Sequence, residues 1–365
     1  MGGGYSPARS PTTPTSPDSG KSSSANEDPI AGRIVAVRPV SFYAVEEAGC
    51  CPYRKNPYLC ANHTLSTMKK ALKIAGIVLL SLIGLLLVLF LLIRFVFREE
   101  AVDYLTGLQK EQRTELLRSA GPYAAEPDAD YRFTYIQDTA RAREIHDYFR
   151  LDTLVDPAAA TWDKARALAT FVAENIPHAN QKVHPKVRNA TALWEYTRTV
   201  EPAFNCRLHA ILLHELLLAE GITNRFVTCL PADSLDSDCH VVNVVWLPEH
   251  RKWAMIDSDM QSWVASPEGE PLSLEEMRQR TVAGEPMTVH RLLGTRDPEN
   301  YLSYWAKNLY WFMCWEQTGY DKEVEYEGRV IALLPAGFDG FKLNEAVRTS
   351  DDARFWAAPD TDTTF

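Results

Sequence analysis

Cysteine is scarce. Seven occur in 365 residues (Cys50, Cys51, Cys60, Cys206, Cys229, Cys239 and Cys314), and none stands in a paired C-x-x-C zinc pattern. The four that follow residue 98 are too few for a disulfide scaffold and leave room for one bridge and a free thiol. No run of like charges is long enough to form a tail, and no internal repeat is present. Basic charge is short where nucleic acid would need it. The chain carries a net −10; residues 1–98 hold eleven Lys/Arg against five Asp/Glu, and the remainder is strongly acidic. An acidic domain repels a phosphate backbone at long range, which argues against DNA or RNA as a partner. The apolar share of 46% and charged share of 24% are otherwise an ordinary globular mix.

One apolar run stands out. Residues 74–93, IAGIVLLSLIGLLLVLFLLI, are twenty without a charge, apolar on every face. As a helix they span ~30 Å, about one hydrocarbon core. No small-x-small cleavage site follows, so a retained anchor is expected rather than a cleaved signal. Lys69, Lys70 and Lys73 precede the span; Arg94 and Arg98, then Glu99 and Glu100, follow it. The positive-inside rule puts the N-terminus in the cytoplasm and the acidic domain outside. Met68 opens MKKALKIAGIVLL, the pattern of a bacterial translation start with its signal-anchor, so 68–98 read as that anchor. Residues 1–67 are rich in Ser, Pro, Thr and Gly and then lose any clear period. They read either as an extension from a misassigned start codon or as a disordered cytoplasmic tail. Peptides from 1–67 in the native protein would exclude the first.

Beyond the anchor, residues 99–135 read as a juxtamembrane helix and a connection, the helix closed by Gly121-Pro122. Residues 136–345 read as one α+β domain, and 346–365 as a loose polar tail. Trp162, Ala165, Leu168, Ala169, Phe171, Val172 and Ile176 recur at helical spacing, with Thr161 as the expected cap. A strongly apolar helix runs from Cys206, with Asn205 near its N-cap and Gly221 as its C′ residue. Strands are expected at 225–230, 240–248 and 252–257, the last two joined as a hairpin through 248–251. Ser273 caps a helix over 271–284; 300–315 is aromatic-rich and helical or partly so; 329–338 is a last strand.

Thiol catalysis needs a thiolate, a base to make it and a group that orients the base. The helix start puts Cys206 where orphan N–H groups and the dipole favour a thiolate. The hairpin brings Asp257, at the end of its second strand, beside His240 at the start of its first. Carried on NCRLHAILLHELLLAEGITNRFV and then HVVNVVWLPEHRKWAMID, this Cys–His–Asp order is similar to the transglutaminase-like superfamily. The helix beginning at Cys206, the L-x-x-x-G-I-x-x-R passage at 217–225, the His240 strand and the W-x-x-x-D strand at 253–257 carry the resemblance. It covers about residues 160–285. It implies a papain-like core of helices packed on an antiparallel sheet and acyl chemistry through a thioester on Cys206, without cofactor or metal. Two positions depart from the family pattern. Phe204 stands where Gly is frequent, and Ser258 follows Asp257 where Pro is frequent.

Other residues compete for roles. Asp259 is the next choice as orienter. His209 and His214 read as structural, with His209 pointing away from the cleft, and Trp246 and Trp253 as core. Cys229 and Cys239 flank the loop LPADSLDSD and read either as a disulfide or as two half-buried thiols. Asp233, Asp236 and Asp238 lack the spacing and glycine of a calcium loop. The N–H of Cys206 is a candidate oxyanion donor. The expected function is a membrane-anchored hydrolase or acyltransferase acting on a peptide or protein substrate, with hydrolysis favoured. A non-catalytic scaffold that binds peptide or glycan is the alternative, and a third reading makes Trp305, Tyr310, Trp311, Phe312 and Trp315 a surface patch for a partner.

Overall fold

The computed structural model describes residues 57–360 except 128, 295–297, 326–327 and 343–344. Residues 1–56, with Cys50 and Cys51, lie outside the described residues; of the stretch 1–67 only 57–67 are described, and they are helical. The chain divides into two compact units, Met1–Ile83 and Gly84–Phe365. The break falls inside α1 (Pro57–Phe95), a helix of 39 residues that begins well before the expected anchor. Its 65–95 stretch has a mean hydropathy of 3.2 and buries none of its most apolar window. It is long and apolar enough to cross a membrane.

In the second unit, α2 (Arg98–Arg118) ends one turn before Gly121. It is no detached stalk: Leu117 is buried in the core, and Tyr131 and Tyr135 of the following connection are buried with it. Gly121 is required there, because a Cβ would stand 1.9 Å from the Ala336 carbonyl oxygen. After the short strand β1 (Thr134–Tyr135), three amphipathic helices follow: α3 (Thr139–Phe149), α4 (Thr161–Asn175) and α5 (Ala190–Thr199). Thr161 does not cap α4; Ala160 holds that position. The Thr161 hydroxyl and N–H instead donate to the Glu249 carboxylate, at 2.7 and 3.1 Å, so the cap is supplied from a distant turn.

The central helix α6 (Cys206–Ala219) is buried on almost every face from Leu208 to Leu218. Each buried leucine contributes ~1.5–3 kcal/mol relative to exposure. Gly221, at φ +70, lets the chain turn directly into β2 (Asn224–Leu230). Next come β3 (His240–Leu247) and β4 (Lys252–Ile256), the expected hairpin, then β5 (Ser262–Ala265) and the Ser273-capped α7 (Leu274–Ala283). A short strand β6 (Thr288–Arg291) pairs with β5. The aromatic segment divides into α8 (Pro298–Asn308) and a strand, β7 (Trp311–Trp315). The short β8 (Gln317–Thr318) and α9 (Lys322–Glu325) lead to β9 (Val330–Leu333).

The described part of the tail, up to residue 360, is not loose. It adds β10 (Val347–Thr349), parallel to β9, and α10 (Asp352–Phe355), and it buries Phe355 and Trp356. The main sheet runs β10-β9-β7-β2-β3-β4, antiparallel except for its β10–β9 edge. Cores lie on both faces. Val241 and Val245 pack with α3–α6, while Val242 and Val244 pack with α7, α8 and the tail. Burial on both faces is why β3 reads as a continuous apolar run. Four of the five aromatic residues read as a surface patch are interior: Trp305, Trp311, Phe312 and Trp315 are buried, and Tyr310 is half-buried.

Candidate active site

Asn205 caps α6 by accepting the Leu208 N–H at 3.1 Å, which makes Cys206 the first helical residue. Two residues earlier, the backbone of Phe204 is strapped to another segment. Its N–H donates to Pro177 and its carbonyl accepts from Ala179, at 3.0 and 2.8 Å. The Phe204 ring is fully buried and meets His209 edge-on. The Phe204 side chain fills the core against which Cys206 packs.

The hairpin register pairs Asn243 with Ile256, so His240 and Asp257 lie diagonally across its open end. His240 Nε2 donates to Asp257 Oδ2 at 2.7 Å, leaving Nδ1 to exchange a proton with a thiol. Asp257 Oδ1 accepts the Met260 N–H at 2.9 Å, which closes the turn through Ser258, and Oδ2 also accepts the Tyr301 hydroxyl at 3.0 Å. Both His240 and Asp257 are buried. Burial opposes charge on His240, but the Asp257 carboxylate and the Cys206 thiol outweigh it and raise its pKa well above the ordinary imidazole value. Burial likewise favours a neutral Asp257, yet His240, the Met260 N–H and Tyr301 hold the carboxyl below its usual range. The Tyr301 phenol is pushed well up by burial and by Asp257, so it remains a donor.

Cys206 is half-buried and free, its Sγ 3.9 Å from the Cys239 carbonyl oxygen. It opens on a cleft of about 730 Å³ that also holds His178, Cys239, His240, Asp259 and Tyr304. That size suits a small substrate or a short length of peptide. The Tyr304 and Trp305 rings stand steeply inclined to the His240 ring, their centroids 5.5 Å from it, and Tyr304 also lines the cleft. Sequence reasoning missed this contribution of α8, although Tyr301 and Trp305 are four apart and must share a helix face.

The remaining candidates divide. Asp259 does not orient His240: its Oδ1 lies 2.7 Å from His178 Nδ1 and 3.5 Å from His209 Nε2. His209 is buried, and it is not turned away from the cleft: its Nε2 lies 3.5 Å from Oδ1 of the cleft-lining Asp259. Burial lowers its pKa and keeps it neutral. His214 is structural, bonded to Asn224 and to the Gly319 carbonyl. Trp253 is buried and Trp246 packs beside it. Cys229 and Cys239 are free thiols, not a disulfide. Cys229 faces the fully buried core, where burial pushes its thiol well up, while Cys239 lines the cleft. Asp236 and Asp238 hold Lys307 Nζ at 2.9 and 2.7 Å, so a cation from α8 already occupies the acidic loop. Among the described residues no group of three His, Cys, Asp or Glu is arranged to hold a metal. Next to Cys206, Arg207 is clamped by two bonds to the buried Glu323, at 3.1 and 2.6 Å.

A helix that starts at a cysteine, packed on an antiparallel sheet whose hairpin carries His and Asp, is the layout of a papain-like α+β thiol fold. Residues 149–258 match the family model of the transglutaminase-like superfamily, and the chain carries a domain of that family. No curated protein matches the chain. Among solved structures, a proposed cysteine protease from Cytophaga hutchinsonii is similar at 13% identity, over 43% of this chain and 51% of that one, with a TM-score of 0.25. The match spans about half of that protein, and the fold assignment rests on the family match and the architecture.

Proposed function

We propose that this chain is a membrane-anchored cysteine hydrolase that cleaves peptide or protein amide bonds outside the cytoplasm through a thioester on Cys206. The observation that carries the reading is the 2.7 Å His240–Asp257 pair beside Cys206 in an open cleft. The Cys206 thiolate, supported by the His240 imidazolium and the start of α6, attacks the amide carbon. The N–H of Cys206 is one of the helix's orphan donors and receives the oxyanion. His240 Nδ1 then gives its proton to the departing amine as the C–N bond breaks, while Asp257 holds the ring in register. Water hydrolyses the thioester. The apolar helix α1 keeps the domain at a membrane, with the basic flank 69–73 on the cytoplasmic side.

A test uses the full-length chain in detergent micelles and a peptide library derived from whole-cell protein. Mass spectrometry counts new N-termini. Cleavages made by the wild type and absent with Cys206→Ala support the hydrolase. An identical, empty pattern for both proteins overturns it in favour of a peptide- or glycan-binding scaffold.

A further inference from the structure

The Asp257 carboxylate is buried, and a charge there is costly unless donors support it. Two of its donors arrive with the hairpin itself. They are His240 Nε2, at 2.7 Å, and the Met260 N–H of the turn that follows β4, at 2.9 Å. The third comes from 44 residues further along the chain: the Tyr301 hydroxyl of α8 donates at 3.0 Å. It meets Oδ2, the same oxygen that accepts from His240. Tyr301 is itself buried, and Trp305, one helical turn on, packs its ring against both Tyr301 and His240. The helix that carries them is tied to α2: Arg113 donates to the Ser303 carbonyl and hydroxyl at 2.8 and 3.2 Å, and Thr106 to the Asn300 side chain at 3.1 Å.

The Tyr301 bond matters most when His240 is neutral. As an imidazolium, His240 offsets the Asp257 charge. Before it takes the thiol's proton, the carboxylate is a single charge in the interior, and neutral donors must carry it. The other groups near the pair do not titrate with it. Burial keeps His209 of α6 neutral, and it pushes up the thiols of Cys229 and Cys239 and the phenol of Tyr304. Arg291 of β6, bonded to Ser262, stays charged throughout, and Asp259 is engaged by His178 and His209.

We propose that Tyr301 is a positioning residue for the triad: its hydroxyl fixes the Asp257 carboxylate against His240 and carries its charge while the imidazole is neutral, so that His240 can take the Cys206 proton. The inference rests on the thiol-enzyme reading above.

The test is iodoacetamide alkylation of Cys206 in the full-length chain in micelles, followed across pH at the Cys206 peptide. Losing the hydroxyl destabilises the neutral-His240 state more than the imidazolium state. Tyr301→Phe is therefore expected to move the acid limb of the profile up by about one pH unit. Below the limb the rate falls on the order of 10-fold, and above it the two proteins agree within about 3-fold. A limb that stays in place, whether the rate is unchanged or lowered equally at every pH, overturns the proposal and leaves Tyr301 a space-filling ring. A ring-fluorinated tyrosine incorporated at position 301 is a stronger donor of nearly the same shape, and it should move the limb down. That variant decides alone if Tyr301→Phe does not fold, and the absence of a downward shift overturns the proposal. His240→Ala separates the two readings. If it leaves alkylation unchanged, the thiol-enzyme reading fails and the proposal with it. If it slows alkylation while Tyr301→Phe leaves the limb in place, only the proposal fails.

Discussion

Replacing Phe355 by Ala tests whether the C-terminal segment is part of the domain's core. The Phe355 ring is fully buried, packs edge-on against Phe133 and Trp356 at 5.3 and 4.7 Å, and stands 5.4 Å from the Arg225 guanidinium. Arg225 is itself completely buried, enclosed by Phe133, Trp253, Phe355 and Trp356, and it donates to the Phe355 carbonyl at 3.0 Å. Truncating a core Phe costs ~3–5 kcal/mol. Opening one wall of the cage around a desolvated cation adds ~0.5–2 kcal/mol. The sum is a large share of the ~5–15 kcal/mol that holds a domain folded. Urea unfolding of the full-length chain in micelles, followed by tryptophan fluorescence, should place the midpoint far below that of the wild type. Leu235→Ala, at a side chain 91% exposed, should leave it unchanged within ~0.5 kcal/mol. A loss below about 1 kcal/mol for Phe355→Ala would refute the reasoning and return the tail to a loose appendage.

Asp257→Asn removes the charge that raises the His240 pKa and the acceptor that orients its ring; peptide cleavage should fall about 10²–10⁴-fold. Unchanged turnover would remove Asp257 from the mechanism. Glu215 is buried between the N–H groups of Ala190 and Asp321, and burial pushes its pKa up to about 7 from 4.5. Because the folded value is the higher one, its contribution to stability is complete below pH 4.5 and lost as pH rises through about 7. Unfolding free energies at pH 5 and pH 8 should differ by roughly 2–3 kcal/mol from this group, and Glu215→Gln should flatten the slope. Parallel slopes would contradict it. Gly121→Ala must displace the Ala336 backbone and should lower the unfolding midpoint, whereas Gly107→Ala, with open space around it, should not.

The hairpin and α6 were legible because each rests on local signals. Cys206 follows a capping Asn205, Gly221 stops the helix, and the β-branched run from His240 turns at 248–251. Strand pairing then follows from a short turn, and with it the His240–Asp257 diagonal. What stayed hidden depends on long-range contacts. The run from Asn300 to Trp315 keeps one aromatic composition while changing from helix to strand, so composition does not mark the boundary. Polar residues after 345 suggested a loose tail, yet Phe355 and Trp356 close the Arg225 cage formed by residues far away in sequence. Thr161 lost the cap of α4 to a carboxylate from another turn. The Asp259–His178 contact arises because a loop segment straps onto Phe204, a pairing with no local sequence mark.

The most direct test of the account is iodoacetamide labelling of Cys206 in the full-length chain across pH, read at the Cys206 peptide by mass spectrometry. A thiol served by His240 predicts labelling at neutral pH faster than that of a free thiol, and slowed in His240→Ala. Labelling no faster than that of a free thiol, or indifferent to His240→Ala, would contradict it.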